Sequence, residues 1–311
     1  MSSISLGEVF KNYTDECEYV SKLRPETIRG YKNVFRLFLK IMPEVTSIEL
    51  LTPGMLNEFF KRINTRPRIV GSGEIRTGVK PSTIKTHYNK LNAFFEWLLR
   101  KKHIEENPLK DIKRPKVDYE DFRRVEDADL RKIYTAIALD SNCNAFIQRR
   151  DTAMVSILLF TGVRLGEFIS LRVTDIDLGK REIIVRGETS KSKKTRTLKI
   201  HPTLAMHFGD YFRERKIRQL KTEHLLVSSR EDKGLTRDGL KNWVKGIIKK
   251  SGVKFHLHQL RHTFACKLAE QDVNLSKIQK MMGHVDVRMT TKYTRSLRTE
   301  DMEDDIGKIS I

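Results

Sequence analysis

Apolar residues recur at helical spacing along most of this chain, and the pattern predicts a mainly helical fold. Residues 3–22 place Ile4, Leu6, Val9, Phe10, Tyr13, Cys17 and Val20 on one face of a first helix. Pro25 sits where a first turn tolerates proline, and Ile28, Tyr31, Phe35, Phe38 and Leu39 carry a second helix to about Met42. Thr52-Pro53 is the next start signal, with Met55, Leu56, Phe59, Phe60 and Ile63 behind it. Thr65 to Pro81, rich in Gly, Arg and turn residues, predicts a loop or short hairpin. Ser82 opens a long helix through Leu91, Phe94, Phe95, Trp97, Leu98 and Leu99.

Glu106 to Arg124 breaks the pattern: it is charged, punctuated by proline and poor in apolar residues. The expected organisation is a helical domain over 1–112, a linker over 113–124, and a second domain over 125–311. In the second domain, Val125–Leu139 and Ala145–Phe160 read as helices, the latter largely buried and ended by Thr161-Gly162. Arg164 to Leu171 begins another, with Asp175 and Asp177 in the turn after it. Arg181–Gly187 and Thr195–Ile200 are β-rich runs joined by the lysine-dense ETSKSKK, a hairpin with a basic tip. Pro202 opens a helix to about Leu220, HLLVSS reads as a short strand, and Thr236–Lys250 as a helix. In LHQLRHTFA, Leu257, Leu260 and Phe264, with Leu268 beyond, form one apolar stripe, and His258 and Arg261, three apart, lie beside it. From Thr299 the tail spaces Met302, Ile306 and Ile309 four and three apart among acids, an amphipathic helix seeking a groove. The fold class expected is mainly α with one small antiparallel sheet: a helical domain, then a mixed α+β domain.

Charge narrows the class of partner. Across 311 residues, 60 Lys and Arg stand against 40 Asp and Glu, a formal charge of +20. A polyanion, most simply nucleic acid, fits that excess better than a merely soluble basic protein. Lys80, Lys85 and Lys90, with Lys101 and Lys102, offer a face that can track phosphates, a plain solvated face being the alternative. Cys17, Cys143 and Cys266 form no disulfide or metal pattern, which suits a reducing interior. The N-terminus lacks the apolar core of a signal peptide, and the longest apolar run, Ala153–Phe160, is too short to span a bilayer. A cytoplasmic, nucleoid-associated protein without membrane contact is expected.

Candidate chemistry gathers in the second domain. Arg164 follows a Gly that ends a buried helix; a cation at a helix start opposes the helix dipole, unless the site must hold an anion. Glu167, three residues on, can orient it. His258, Arg261, His284 and Tyr293 follow, with Lys191, Lys193, Lys194 and Arg196 in the hairpin. Displacing one oxygen at a phosphodiester builds charge on the non-bridging oxygens, and guanidiniums meet that charge with paired donors. A phenol must lose its proton to attack, so nearby imidazoles are apt. No carboxylate cluster for two metals is evident, which disfavours a metal-dependent nuclease or transposase.

TGVRLGEFISL, HQLRHTFA and MMGHVDVRMTTKYT, in this order, resemble the motifs of the tyrosine recombinases, the phage integrase family, through nearly the whole chain. The resemblance implies that Tyr293 is the nucleophile, that Arg164 and Arg261 clamp the scissile phosphate, and that His258 and His284 assist the phosphate and the tyrosine proton. It implies a hairpin lysine as general acid: Lys191, counted back from Arg196, with Lys193 next, although Ser192 stands where the family usually has glycine. Lys80, Lys85, Lys90, Lys193, Lys194 and Arg196 are the expected DNA contacts. Also implied are a core-binding domain and a catalytic domain clamped on double-stranded DNA, one protomer per inverted-repeat half-site, four assembling, with the tail docked on the neighbouring protomer; a tail folded back on its own catalytic domain, or one without order, is the alternative. No cofactor and no metal is called for, and the plan is closer to the two-domain Xer and Cre type than to integrases with an added arm-binding domain. A type IB topoisomerase-like activity or a non-catalytic DNA-binding relative is the alternative.

Overall fold

The computed structural model describes residues 5–71, 73–116, 124–190, 193–284, 286 and 289–291. The chain divides into two compact units, Met1–Glu120 and Asp121–Ile311.

In the first unit, α1 (Leu6–Asp15) starts where the Ser5 hydroxyl accepts the Glu8 amide. It passes into a π-helical turn, Glu16–Val20, so the helix expected over 3–22 changes register at Asp15. Tyr19 and Val20 consequently face solvent. Helices α2 (Pro25–Ile41) and α3 (Pro53–Thr65) follow, each with proline in its first turn. The Gly- and Arg-rich segment is an antiparallel hairpin, β1 (Pro67–Val70) and β2 (Glu74–Thr77), before α4 (Pro81–Arg100). Aromatic rings fill the core: Phe10 stacks on Phe35 with centroids 4.0 Å apart, and Tyr13, Phe94 and Trp97 close around them.

The second unit begins with α5 (Asp127–Ala138) and the buried α6 (Ala145–Thr161). Then come the short α7 (Leu165–Ile169) and three strands, β3 (Ile176–Asp177), β4 (Glu182–Val185) and β5 (Arg196–Lys199). They form one antiparallel sheet in the order β3-β4-β5, a strand more than the expected hairpin. Helices α8 (Pro202–Ile217), α9 (Arg237–Ser251), α10 (Leu257–Ala269) and α11 (Leu275–Met282) complete it. The fold is mainly α with small antiparallel sheets. Helix α6 lies against both α8 and α10 at the centre of the larger core.

Three readings of the sequence change. HLLVSS is not a strand: it makes only isolated bridges, Arg172 to His224 and Val227 to Gly234. The Arg215 guanidinium bonds the carbonyls of Thr222, His224 and Leu225, and Tyr211 donates to Leu225 as well, so side chains take acceptors a neighbouring strand would use. Helix α10 is not amphipathic: Leu260 through Cys266 are all buried, whereas Leu257 and Leu268 are half-buried. Its polar members find partners inside, as where Thr263 accepts the Val125 amide. Helix α11 escapes the pattern; eight residues with only Ile278 and Met282 buried carry little periodic signal.

Candidate active site

The site forms where two helices end. Helix α6 stops at Gly162, whose φ of +57° and tight surroundings exclude a side chain: a Cβ would lie 2.4 Å from the Phe264 ring. Helix α11 stops at Gly283, φ +63°, where a Cβ would lie 3.0 Å from Nη1 of Arg196 and 3.2 Å from Nη1 of Arg164. Three guanidiniums take three successive carbonyls there. Arg196 Nε donates to Met281 (3.0 Å), Arg261 Nη2 to Met282 (2.7 Å) and Arg164 Nη2 to Gly283 (2.6 Å). A helix C-terminus presents unsatisfied carbonyls and the negative end of the helix dipole, which suits this cluster of cations. Arg261 also donates through Nη1 to the Gly162 carbonyl, tying the end of α6 to the end of α11. Arg164 caps α7, yet its side chain reaches the favourable end of another helix.

Glu167, 1% exposed, is the counter-charge. Its carboxylate accepts from the Arg164 amide (2.8 Å), Arg164 Nη1 (3.2 Å), the Ser190 hydroxyl (2.8 Å), and Nη1 and Nη2 of Arg196 (3.1 and 2.8 Å). Burial alone would raise its pKa; the bonds and charge of Arg196, the Arg164 amide and Ser190 outweigh it and hold the carboxyl at about 2.

His284 is buried, with Nε2 3.0 Å from Arg261 Nη2 and Nδ1 2.9 Å from the Thr290 hydroxyl. Arginine can only donate, so Nε2 is the acceptor and the ring proton sits on Nδ1. Desolvation, then the charges of Arg261, Arg164 and Arg196, bring this histidine down to about 4, so it is neutral near pH 7. His258 stands at the exposed rim on α10. The protein crowding its ring, then Arg261, His262 and Arg164, hold its pKa below the ordinary value.

The structure thus brings Arg164, Glu167, Arg196, Arg261 and His284 into one bonded group, with His258 beside it. Lys191 and Tyr293 lie outside the described residues, as does the tail. Lys193 and Lys194 are exposed. Arg196 differs from a surface DNA contact: its side chain is 12% exposed and bonds to Glu167 and Met281 from all three nitrogens. In the first unit Lys80 is exposed, Lys85 is half-buried, and Lys90 lies 4.3 Å over the Tyr31 ring, its pKa lowered by burial. Ser190 and Thr290, which bond Glu167 and His284, lie inside the hairpin run ETSKSKK and the segment MMGHVDVRMTTKYT, but the sequence singles out neither. Among the described residues no group of three His, Cys, Asp or Glu could hold a metal ion, and no helix is long and apolar enough to cross a membrane.

Guanidiniums fixed by helix-end carbonyls beside two imidazoles gather positive charge that suits an anion. Comparison with known proteins gives the class. The model of the phage integrase family matches residues 123–300. The tyrosine recombinase XerD of Listeria monocytogenes serovar 1/2a is 29% identical over 289 residues, 90% of this chain and 92% of its own length. The tyrosine recombinase XerC of Bacillus subtilis strain 168 is 27% identical over 253 residues, 77% and 78% of the two chains. Among solved structures, the Tn1549 transposon integrase in complex with transposon right end DNA superposes with a TM-score of 0.74 at 20% identity, over 96% of this chain and 98% of that one. The XerH recombinase bound to difH gives 0.67 at 18%, over 96% and 84%. This chain belongs to the phage integrase family; it is a tyrosine recombinase, an enzyme of DNA recombination.

Proposed function

We propose that the chain cuts and rejoins double-stranded DNA at specific sites through a 3′-phosphotyrosyl intermediate on Tyr293. The observation that carries this reading is the anchoring of Arg164, Arg196 and Arg261 on three successive carbonyls at the end of α11, next to His258 and His284. Arg164, at the rim, and Arg261, beneath it, supply positive charge to the non-bridging oxygens as the transition state forms. Preorganised donors of this kind each change rate by about 10²–10³. Glu167 holds Arg164 in place, and the carbonyls of Gly162 and Met282 hold Arg261.

The Tyr293 oxygen forms a bond to phosphorus as the bond to the 5′-oxygen breaks. The phenol proton passes to His258, because the Nε2 lone pair of His284 is engaged by Arg261. Lys191 gives the leaving 5′-oxygen its proton, with Lys193 the other hairpin candidate. The phosphotyrosyl bond stores the energy of the broken one, so a 5′-hydroxyl rejoins without an energy-supplying cofactor. Neither step routes through a metal.

In this reading residues 1–112 are the core-binding domain, 113–124 the linker and 125–311 the catalytic domain. Lys80, Lys85, Lys90, Lys193 and Lys194 follow the phosphates. One protomer takes each inverted-repeat half-site, four assemble, and the tail of one docks on the next; the compartment is the cytoplasm, at the nucleoid. The +20 charge and the Xer relatives support these points.

The test starts from the site itself, selected from a random duplex pool by rounds of binding. On a nicked suicide duplex bearing it, the chain should form a denaturation-resistant adduct in EDTA, and Tyr293→Phe should bind without forming one. An adduct in the variant, or a strict metal requirement, would overturn the assignment.

A further inference from the structure

Hairpin β1–β2 exposes a face without charge. In its register Ile69 pairs with Ile75 and Pro67 with Thr77, so these four share one side of the ribbon. Ile69 is 76% and Ile75 71% exposed. The other side carries the pairs Arg68–Arg76 and Val70–Glu74. The turn between the strands holds Gly71 and Gly73, both at positive φ, which keeps the tip thin. Two neighbouring isoleucines set out into water on one side of a ribbon make an apolar patch suited to a contact.

Charge decides which partner. Between residues 61 and 80 the chain carries Lys61, Arg62, Arg66, Arg68, Arg76 and Lys80 against the single acid Glu74. A second copy, itself at +20, would be repelled by that segment; DNA would be drawn to it. Among the described residues Arg76 pairs at the surface with Glu74 (2.8 Å), the kind of bond a phosphate readily displaces. A two-stranded ribbon fits a major groove, about 12 Å wide, and the apolar feature displayed there is the thymine 5-methyl group. Resting on the recombinase reading, we propose that β1–β2 is a DNA-reading ribbon: it lies in the major groove, sets Ile69 and Ile75 against thymine methyls, and brings its flanking arginines to the phosphates.

The methyl group itself is the probe. A 40-base-pair duplex of alternating dA and dT is compared with the same duplex carrying dU, which lacks only that methyl. The full chain should bind the dT duplex about three- to fivefold tighter, the size of one buried methyl contact. The double variant Ile69→Ser, Ile75→Ser should bind both duplexes equally while retaining the wild-type slope of affinity against salt. A second measurement does not depend on the variant's folding: with Ile75→p-benzoylphenylalanine, illumination on the dT duplex should link position 75 to DNA. Linkage to a second copy or to residues 121–311, or an unchanged dT preference in the serine variant, would overturn the proposal. A wild-type chain that binds duplex and forms the Tyr293 adduct but shows no dT preference loses only the ribbon; one that binds neither duplex loses the recombinase reading itself.

Discussion

Glu167 and Arg196 meet fork to fork, Oε1 at 3.1 Å from Nη1 and Oε2 at 2.8 Å from Nη2, inside a site otherwise crowded with positive charge. This carboxylate pairs with two of the three guanidiniums that share the helix end, Arg164 and Arg196. Glu167→Gln should therefore destabilise the fold by about 3 kcal/mol, in the range for breaking a buried pair. It should lower adduct formation further than DNA binding, since Arg164 loses its orienting partner. Arg196→Lys should not substitute, because an ammonium cannot reach both carboxylate oxygens and the Met281 carbonyl in one plane. Denaturant titration and adduct yield on the selected site check both; a variant as stable as the wild type would show that the fork contributes nothing.

The same residues set the acid limit of stability. His284 is held at about 4 in the folded chain against an ordinary 6.5, so the unfolded chain binds the extra proton first. Stability should fall as pH drops from 6.5 to 4, by about 3 kcal/mol in all for a shift of this size. Glu167, depressed to about 2 from 4.5, contributes stability that is present above 4.5 and lost between 4.5 and 2. Thermal melts against pH should show the two falls in succession. His284→Gln should flatten the upper window and leave the lower one, and a variant that keeps both would contradict the assignment of the upper window.

Gly283 is a backbone constraint that bears directly on two of the arginines. Gly283→Ala would force a Cβ to 3.0 Å from Arg196 and 3.2 Å from Arg164 at a φ that disfavours side chains. The chain end at α11 would shift, and with it the three carbonyls. Adduct yield should drop at least about tenfold, and stability by about 1–2 kcal/mol for the positive φ alone. Gly7, with no atom near an added Cβ, is the control: Gly7→Ala should leave the adduct yield unchanged.

Much of this arrangement was legible in the sequence, and what was not has a physical reason. Helices α2, α3 and α4 carry one wide apolar face each, so periodicity finds them. Arg164, Arg261 and His284 come together as their motifs imply. The stripe of Leu260 and Phe264 marks helix α10, but it does not show that polar residues such as Arg261 and Thr263 are buried alongside them. The anchors for the arginines are backbone carbonyls of Met281, Met282 and Gly283, and a carbonyl has no side-chain signature. Arg196 reads as one more basic residue of a basic hairpin; only the fold shows that β5 delivers it to Glu167.

The hairpin lysines can be separated by chemistry. Lys191→Ala should slow cleavage of the selected site by about 10²–10⁴-fold, the usual worth of general acid catalysis. A 5′-bridging phosphorothiolate, whose sulfur leaves without a proton, should restore the rate. Rescue confined to Lys193→Ala would move the acid to Lys193, and rescue of neither would remove the hairpin from proton transfer. Binding of both variants should weaken only slightly, with a salt slope smaller by about 0.9 for each phosphate that the substituted lysine had neutralised.

The last prediction concerns the tail and a groove of about 650 Å³ on the second unit. Leu130, Tyr134, Phe160, Phe264, Leu268 and Met281 give the groove an apolar floor; Arg131, Lys199 and Lys267 stand at its edges, Lys267 paired there with Asp127. The tail pairs three apolar residues at helical spacing, Met302, Ile306 and Ile309, with five acids, Glu300, Asp301, Glu303, Asp304 and Asp305. Apolar positions for the floor and acids for the rim are complementary in both respects, and burying three such side chains is worth about 1.5–3 kcal/mol each before ordering costs. Deleting residues 299–311 should leave binding to a single half-site nearly intact, while cooperative occupancy of paired half-sites and recombination both fall. Arg131→Glu with Lys199→Glu should reproduce that loss through charge alone. Adding Asp304→Lys and Asp305→Lys to that pair should recover part of it. A gel-shift titration in which the truncated chain fills paired half-sites as cooperatively as the full chain would remove docking between protomers, and a truncation that weakens single-half-site binding and lowers the melting temperature would place the tail on its own catalytic domain instead.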